Sequence, residues 1–582
     1  MKQLMSGNEA VARGIYEADV RVGSAYPGTP STEIFEHLND YEGVYHEWAP
    51  NEKVATEVAY GASMAGVRSV AAMKHVGLNV AADPVFTAAY NGVGRGFVII
   101  TADDPSMHSS QNEQDNRHYA RAAKLPMFEP ADSQDALDMM REAYDVSERF
   151  DIPVLFRMTT RVCHSRSIVE TGEPVKVEPT AYNRDIRKYI ASPANARVHR
   201  VELEAKMEGL AEYAETCPFN RIDRKGDKIG VVTAGGASLI AREAFPEDTS
   251  FLTLGFTHPL PIEMIRQFAD TVETLYVVEE LDPFMEEQIK AAGIDCIGKA
   301  VVPNMYELNP TILKTALTGE APDLRDVGVD VVGRPPVLCP GCPHRGFFYT
   351  LSKRKDTIVA GDIGCYTLGG SPPLSAIDSV VCMGGGFSVA MGMAKAFEQT
   401  GVKKTIFGVV GDSTFFHSGI TGAVEILYNH GNVIPVVLDN SITSMTGQQD
   451  NPGTGYTLMG DITDVVSIKA LFEAIGYDKV FEVDPQDLDA MKTTLDEAIA
   501  WDGPRAIIVR RPCVLIKRIP HEKALCRVDR DTCISCRRCL TVGCPAVFFE
   551  DGKSKIDETL CVGCTVCMQV CPVGAIQKVE DE

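Results

Sequence analysis

Short apolar runs alternate with amphipathic stretches along most of this chain, the pattern of strands and helices taking turns. In the N-terminal third, Val67–Met73, Phe97–Thr101 and Pro153–Arg157 read as strands. Asn51–Ala65 reads as an alanine-rich helix with Val54, Val58 and Ala62 on one face, and Asp135–Ser147 as another helix. The alternation returns from Gly226, with strands at Ile229–Thr233 and Thr274–Val278 and a helix at Leu260–Phe268. Gly319–Pro336, rich in Asp, Gly and Pro, reads as a linker. Beyond it, strand-like Thr357–Gly361, Thr405–Val410, Val433–Leu438 and Ile507–Val509 alternate with helical patterns. Alternation of this kind predicts an α/β fold on parallel sheets, here three doubly wound domains at 1–225, 226–336 and 337–525. A small cysteine-rich domain at 526–582 follows them.

The segment from Thr405 to Asn440 organises the rest. One strand ends in Gly411-Asp412-Ser413, a helix-like stretch follows, and the next strand ends in Asp439-Asn440. In a parallel sheet both tips lie at the carboxyl edge, where open α/β sheets bind ligands. Asp412, the Asn440 side-chain oxygen and a backbone carbonyl suit a hard divalent cation and leave positions for phosphate oxygens. Small residues around Asp412 let backbone amides approach the same phosphates. Taken alone, a Gly-Asp pair after a strand is equally a plain turn into a helix.

Cysteine usage changes the picture. Of 17 cysteines, nine fall between Cys526 and Cys571, and only three lie in the first 338 residues. Such clustering points to bound metal in an intracellular protein rather than to disulfides. Cys533, Cys536, Cys539 and Cys544-Pro545 are followed by Cys561, Cys564, Cys567 and Cys571-Pro572. A zinc site explains neither the three-cysteine runs nor the proline after each fourth cysteine. Two [4Fe–4S] clusters need eight thiolates, and the two-cluster ferredoxin pattern gives the fourth cysteine of each run to the other cluster. Cys533, Cys536, Cys539 and Cys571 therefore form one ligand set, and Cys544, Cys561, Cys564 and Cys567 the other. The first run departs from the pattern by one residue, four (Leu540–Gly543) separating its last two cysteines. Cys526 lies outside the ladder and is given no role.

At 582 residues, 45% hydrophobic and 23% charged, the chain is ordinary globular protein of several cores. A formal charge of −24 argues against nucleic acid or an anionic membrane as partner. No apolar run reaches membrane-spanning length, and Met1-Lys2-Gln3 does not open a signal peptide, so a cytoplasmic location is expected.

Two N-terminal loops carry further candidates. In Tyr26-Pro27-Gly28-Thr29-Pro30-Ser31-Thr32, Ser31 or Thr32 is placed to cap a helix over Glu33–Leu38. In His46-Glu47-Trp48-Ala49-Pro50-Asn51-Glu52, Glu52 opens the alanine-rich helix, where a first-turn carboxylate is favourable in any case.

Gly411-Asp412-Ser413 with Asn440 resembles the thiamine-diphosphate motif, Ser413 standing in the place of its last glycine. Tyr-Pro-Gly-Thr-Pro-Ser at 26–31 resembles the YPITPS loop of the 2-oxoacid:ferredoxin oxidoreductases, and Cys339-Pro340-Gly341-Cys342 with Gly364-Cys365 resembles that family's CPGCG and GxGC segments. The resemblance runs from residue 5 to the end. The domain order and the wording GDSTFFHSG at 411–419 are most similar to the indolepyruvate-type branch.

The family implies a great deal about the site. The cofactors would be thiamine diphosphate, Mg²⁺ and iron–sulfur clusters. Asp412, Asn440 and the Ile442 carbonyl would hold the ion. Ser413, Gly364, Cys365, Gly384 and Gly385 would face the cofactor, and Thr446–Gln449 would close over the diphosphate. Glu52 would protonate the pyrimidine ring, with Glu47 the weaker candidate. Thr29 would face the substrate, and His417 would reach it or serve only in packing. Cys339, Cys342 and Cys365 match three ligands of a further cluster, but Pro343 replaces the family's glycine and no fourth thiol is identified. The implied reaction is coenzyme A-dependent oxidative decarboxylation of an aryl 2-oxoacid, indolepyruvate favoured, with electrons passing to ferredoxin. The alternatives are another 2-oxoacid such as pyruvate or phenylglyoxylate, a non-oxidative decarboxylase, or an electron-transfer-only subunit. A separate β subunit would supply the family's missing domain, and at least two copies of this chain are implied.

Overall fold

The computed structural model describes residues 1–320, 328–330, 332–520 and 524–580. Residues 321–327 and 331 of the expected linker lie outside the described residues. The chain forms two compact units, Met1–Gly328 and Val329–Glu582.

Besides the antiparallel pair Lys2–Ser6 with Arg166–Glu170, the first unit holds two larger sheets. The larger has seven strands in the order Phe256–His258, Met127–Phe128, Val154–Thr159, Phe97–Asp103, Ser69–Lys74, Val22–Ala25 and Tyr45–Trp48. All its pairings are parallel except the edge pairing of Phe256–His258 with Met127–Phe128. The smaller sheet orders Thr274–Val278, Ile229–Ala234, Ser250–Leu254 and Arg221–Asp223. The boundary expected at residue 225 is therefore interleaved. Arg221–Asp223 joins the second sheet, and Phe256–His258 returns to the first.

Buried ions hold this unit together. Arg117, 2% exposed, binds Asp115 and Glu279, while Arg157 binds Asp103 and Glu129. Burial alone would penalise each charge heavily, and mutual pairing offsets much of that cost.

The helix expected at Asn51–Ala65 spans Glu52–Met64, and the Asn51 side chain accepts from the Val54 amide as its N-cap. Its buried face is Glu52, Ala55, Thr56, Ala59, Tyr60 and Ser63 rather than Val54, Val58 and Ala62, which are half-buried. Small residues let this helix lie close to the sheet, so size and not hydrophobicity selected the face. Ser31 and Thr32 do not cap by side chain. The Ser31 hydroxyl donates to the Gly28 carbonyl and the Thr32 hydroxyl accepts from the Gly28 amide, which closes the loop on itself.

The second unit centres on a six-stranded, all-parallel sheet in the order Ser379–Val380, Thr357–Gly361, Thr405–Gly411, Ile434–Asp439, Arg505–Arg510 and Lys479–Val483. Both faces are covered, as strands apolar at every position require. Phe407, Val409, Ile434, Val436 and Leu438 pack on one side with Phe347, Phe348, Met491 and Leu495. Ile406, Val410 and Val437 pack on the other with Phe387, Met391, Phe415, Ile426 and Phe472.

The C-terminal segment adds two hairpin-sized sheets, Ala524–Val528 with Ile576–Glu580 and Val547–Glu550 with Lys553–Ile556. Cys526, Cys539 and Cys567 make up half of its fully buried core. Among the described residues, no helix is long and apolar enough to cross a membrane.

Candidate active site

Asp412 and Asn440 end adjacent parallel strands at the carboxyl edge of the second unit's sheet. One Asp412 carboxylate oxygen accepts from the Ile442 amide at 3.1 Å and from the Asn451 side chain at 3.2 Å. Burial and the neighbouring Asp439 charge push the Asp412 carboxyl up to about 8. A carboxylate in that setting needs a cation to stay ionised at neutral pH. Asn440 is 5% exposed, and its side-chain amide donates to Ser444 at 2.8 Å. That arrangement aims its oxygen away from Ser444, and Asn440 Oδ1 is buried with no hydrogen-bond partner among the described residues. An orphaned buried acceptor beside an under-neutralised carboxylate fits a divalent cation. Ser413 follows in helical backbone, where no glycine is needed, and its hydroxyl accepts from Thr443 at 2.9 Å.

Beneath the two tips the backbone is held by Asp362. Its carboxylate accepts from the Gly384 amide at 2.8 Å and from the Tyr366 hydroxyl at 2.7 Å, and Tyr366 also reaches the Thr414 hydroxyl at 3.0 Å. Gly384 has φ +77°, and a side chain there would lie 1.9 Å from the Ser418 hydroxyl. Only glycine permits the chain to turn so close to the motif helix. Gly385 opens the helix Gly385–Thr400, and the Gly364 amide donates to Thr367. The twenty-residue helix expected after Asp412 is not continuous. Phe415–Gly419 forms a π-turn between Asp412–Thr414 and Ile420–Tyr428. The buried His417 lies within it, its Nδ1 2.9 Å from the Ser418 hydroxyl. Widened turns of this kind recur at functional sites, and no sequence periodicity announces one.

A further thiol, Cys513, lies near Cys365. Burial pushes the Cys365 thiol up to about 11, with Cys513 and Cys339 adding to the shift. Burial likewise pushes Cys342 up to about 12, with Cys365 and Cys339 contributing. Cys365 therefore lies near Cys339 and Cys342 on one side and near Cys513 on the other. The Cys513 amide donates to the Asn440 carbonyl at 2.9 Å, and its side chain packs against Ile442. The loops carrying Asn440 and Cys513 are therefore joined at the carboxyl edge of the sheet. In the terminal segment Cys526 is not remote from the ladder. Its amide lies 3.3 Å from the Cys561 sulfur, and its thiol interacts with Cys561 and Cys567.

Thr29 and Glu52 belong to the first unit. Glu52 is buried at the first turn of its helix, so close to Gly77 that a side chain there would lie 2.6 Å from the carboxylate. Lys74, at the tip of the strand Ser69–Lys74, lies against Gly28 and donates to the Ser109 carbonyl at 2.8 Å. Burial holds its amine down near 8 despite the Asp104 and Glu52 charges. A basic group beside the Thr29 loop was not singled out from the sequence, where Lys74 reads as an ordinary strand end. Glu47 is tied up by the Ser24 and Tyr45 hydroxyls at 3.0 and 2.6 Å.

Residues 13–212 match the pyruvate flavodoxin/ferredoxin oxidoreductase thiamine diphosphate-binding family, 362–509 the C-terminal TPP-binding domain of thiamine pyrophosphate enzymes, and 554–577 the 4Fe–4S binding domain. The indolepyruvate oxidoreductase subunit IorA of Methanothermobacter marburgensis is 40% identical over 98% of this chain and 96% of its own length. The chain belongs to the IorA family. The Archaeoglobus fulgidus and Pyrococcus horikoshii members are 39% and 38% identical, covering 99% and 100% of this chain and 97% of each relative. Among solved structures, a 2-oxoglutarate:ferredoxin oxidoreductase from Magnetococcus marinus matches 55% of this chain and 65% of its own, with TM-score 0.47 and 15% identity. This IorA-family chain is a 2-oxoacid:ferredoxin oxidoreductase that uses thiamine diphosphate and iron–sulfur.

Proposed function

We propose that this chain, with a separate β subunit and at least two copies of itself, catalyses coenzyme A-dependent oxidative decarboxylation of an aryl 2-oxoacid, indolepyruvate foremost, and passes the electrons to ferredoxin. The observation that carries the oxidative reading is the hydrogen bond from Cys513 to Asn440, because it sets one thiol of the proposed quartet beside the loop proposed to hold the cofactor's metal. The aryl preference is supported by the relatives' substrate name and the full-length similarity.

Bound thiamine diphosphate would supply the carbon nucleophile and stabilise the charge left when carbon dioxide departs. Asp412, Asn440 Oδ1 and the Ile442 carbonyl would hold Mg²⁺, while Ser413, Gly364, Cys365, Gly384 and Gly385 would shape the diphosphate and ring contacts. Glu52 holds the proton exchanged with the aminopyrimidine, Thr29 orients the substrate, and His417 sits within reach of the reacting end. Cys339, Cys342, Cys365 and Cys513, then Cys544, Cys561, Cys564 and Cys567, and then Cys533, Cys536, Cys539 and Cys571 would each hold a [4Fe–4S] cluster, which would supply a one-electron route away from the site.

The test is a panel of 2-oxoacids given to the complex with its β partner and ferredoxin. Arylpyruvates are expected to exceed pyruvate and 2-oxoglutarate in kcat/KM by roughly tenfold or more, a difference a shaped apolar pocket can supply. Equal rates on pyruvate would sink the aryl assignment, and carbon dioxide release without ferredoxin reduction would sink the oxidative one. Glu52→Gln keeps side-chain size but loses the ionisable oxygen. Hydrogen–deuterium exchange at the cofactor's C2 should slow by about 100-fold, within the range for a positioned acid–base group. An unchanged exchange rate would move the role to Glu47.

A further inference from the structure

Arg345 follows the Cys339–Cys342 turn and opens the helix His344–Leu351, yet it is 1% exposed. Its guanidinium spans two separate pieces of chain. One terminal nitrogen donates to the Val542 carbonyl at 3.1 Å and to the Gly543 carbonyl, and the other to Leu338 and Cys339 carbonyls at 2.6 and 2.9 Å. Its Nε is buried without a partner among the described residues. Among the described residues its hydrogen bonds all go to backbone carbonyls and none to a carboxylate. A buried cation met only by dipoles is costly unless an anion lies close by.

The carbonyls it grips are those of the four-residue spacer Leu540–Gly543, the place where the first cysteine run is one residue longer than the two-cluster pattern. One arm of the guanidinium fork takes the two consecutive spacer carbonyls and the other takes Leu338 and Cys339, a span between two pieces of chain that a lysine would not match. Two further contacts fasten the same seam. Gly341, at φ +70°, lies so close to Val562 that a side chain there would sit 2.1 Å from its methyl group. Gln569 donates to the Gln486 carbonyl at 2.7 Å, and Gln486 donates to the Gly341 carbonyl at 3.2 Å. Val562 lies between Cys561 and Cys564 in sequence.

We propose that Arg345 is the positioning residue of electron exit, locking the spacer Leu540–Gly543 onto the Cys339 turn and supplying the cation that favours reduction of the clusters on either side. This rests on the reading that both cysteine groups hold [4Fe–4S] clusters, whose net negative charge is the anion a buried guanidinium requires. One electron leaves the reduced cluster at Cys339, Cys342, Cys365 and Cys513 and reduces the oxidised cluster at Cys544, Cys561, Cys564 and Cys567. No bond to carbon or oxygen changes. The fork fixes their separation, and the charge lowers the cost of adding the electron.

The experiment uses the complete complex with its β partner, unmodified and with Arg345→Gln or Arg345→Lys. About twelve irons per chain in the unmodified protein establish the underlying reading, and about eight, with no cluster at the quartet, would overturn that reading and this inference together. With that reading secure, R345Q should keep its iron but show the flanking clusters at lower potential in an EPR-monitored redox titration. The expected change is roughly tenfold in the reduction equilibrium, about 59 mV for a one-electron couple. After rapid mixing with the 2-oxoacid, the terminal clusters should fill at least about tenfold more slowly. R345K should hold the potential near that of the unmodified protein but fill slowly, because it keeps the charge and loses the fork. If R345Q does not accumulate, R345K decides. Filling at the unmodified rate in R345K, or unmoved potentials in R345Q, would overturn the proposal.

Discussion

Asp412→Ala is expected to strip thiamine diphosphate from the protein while leaving its iron in place. Asp412 is the one carboxylate at the two strand tips free of an arginine. Its neighbour Asp439 accepts from Arg510 at 2.7 Å. Removing even an outer partner of a metal site typically costs 10- to 100-fold in affinity, and a charged direct ligand should cost at least roughly 100-fold, about 2.8 kcal/mol. The fold should survive, since a buried carboxyl pushed up to about 8 is a burden on the metal-free protein rather than a prop. Asp412→Asn isolates the charge, because the amide oxygen still accepts from Ile442 and the shape is kept. Cofactor extracted and quantified from both variants gives the result. Stoichiometric thiamine diphosphate in D412N would place the metal elsewhere.

The two strand tips were legible because a strand-turn-helix-strand pattern fixes where a parallel sheet presents its ends, whatever surrounds it. The cysteine ladder was legible because its ligands are close in sequence. Cys513 was not, since it comes near Cys365 only after the chain has made five further strands. The spacer Leu540–Gly543 read as a tolerated irregularity, and its reason appears only with Arg345 in place. The helix Glu52–Met64 was found, but its buried face was misjudged because close helix–sheet packing selects Ala55, Ala59 and Ser63 for size. The ion cluster around Arg117 and Arg157 was invisible for a similar reason. Arginine and glutamate are surface residues by composition, and only tertiary pairing puts them inside.

Ending the chain after Pro520 should separate cofactor chemistry from ferredoxin reduction. The cut precedes the strand Ala524–Val528, so no unpaired edge is left behind, and neither core flanking the six-stranded sheet contains a residue beyond Val509. The truncated chain should fold, and with its β partner it should keep thiamine diphosphate, because Asp412, Asn440 and Glu52 all remain. All eight ladder cysteines are gone, along with Cys526, while the Cys339, Cys342, Cys365 and Cys513 quartet stays. About four irons per chain should therefore persist. Ferredoxin reduction should fall by at least roughly 100-fold, since single electrons reaching the quartet have no onward carrier. The measurement is iron content, bound cofactor and ferredoxin reduction on one preparation. Zero iron with cofactor retained would remove the quartet from the electron path. Ferredoxin reduction at the full rate would show that the terminal domain is not the exit, and the order of carriers set out above would be wrong.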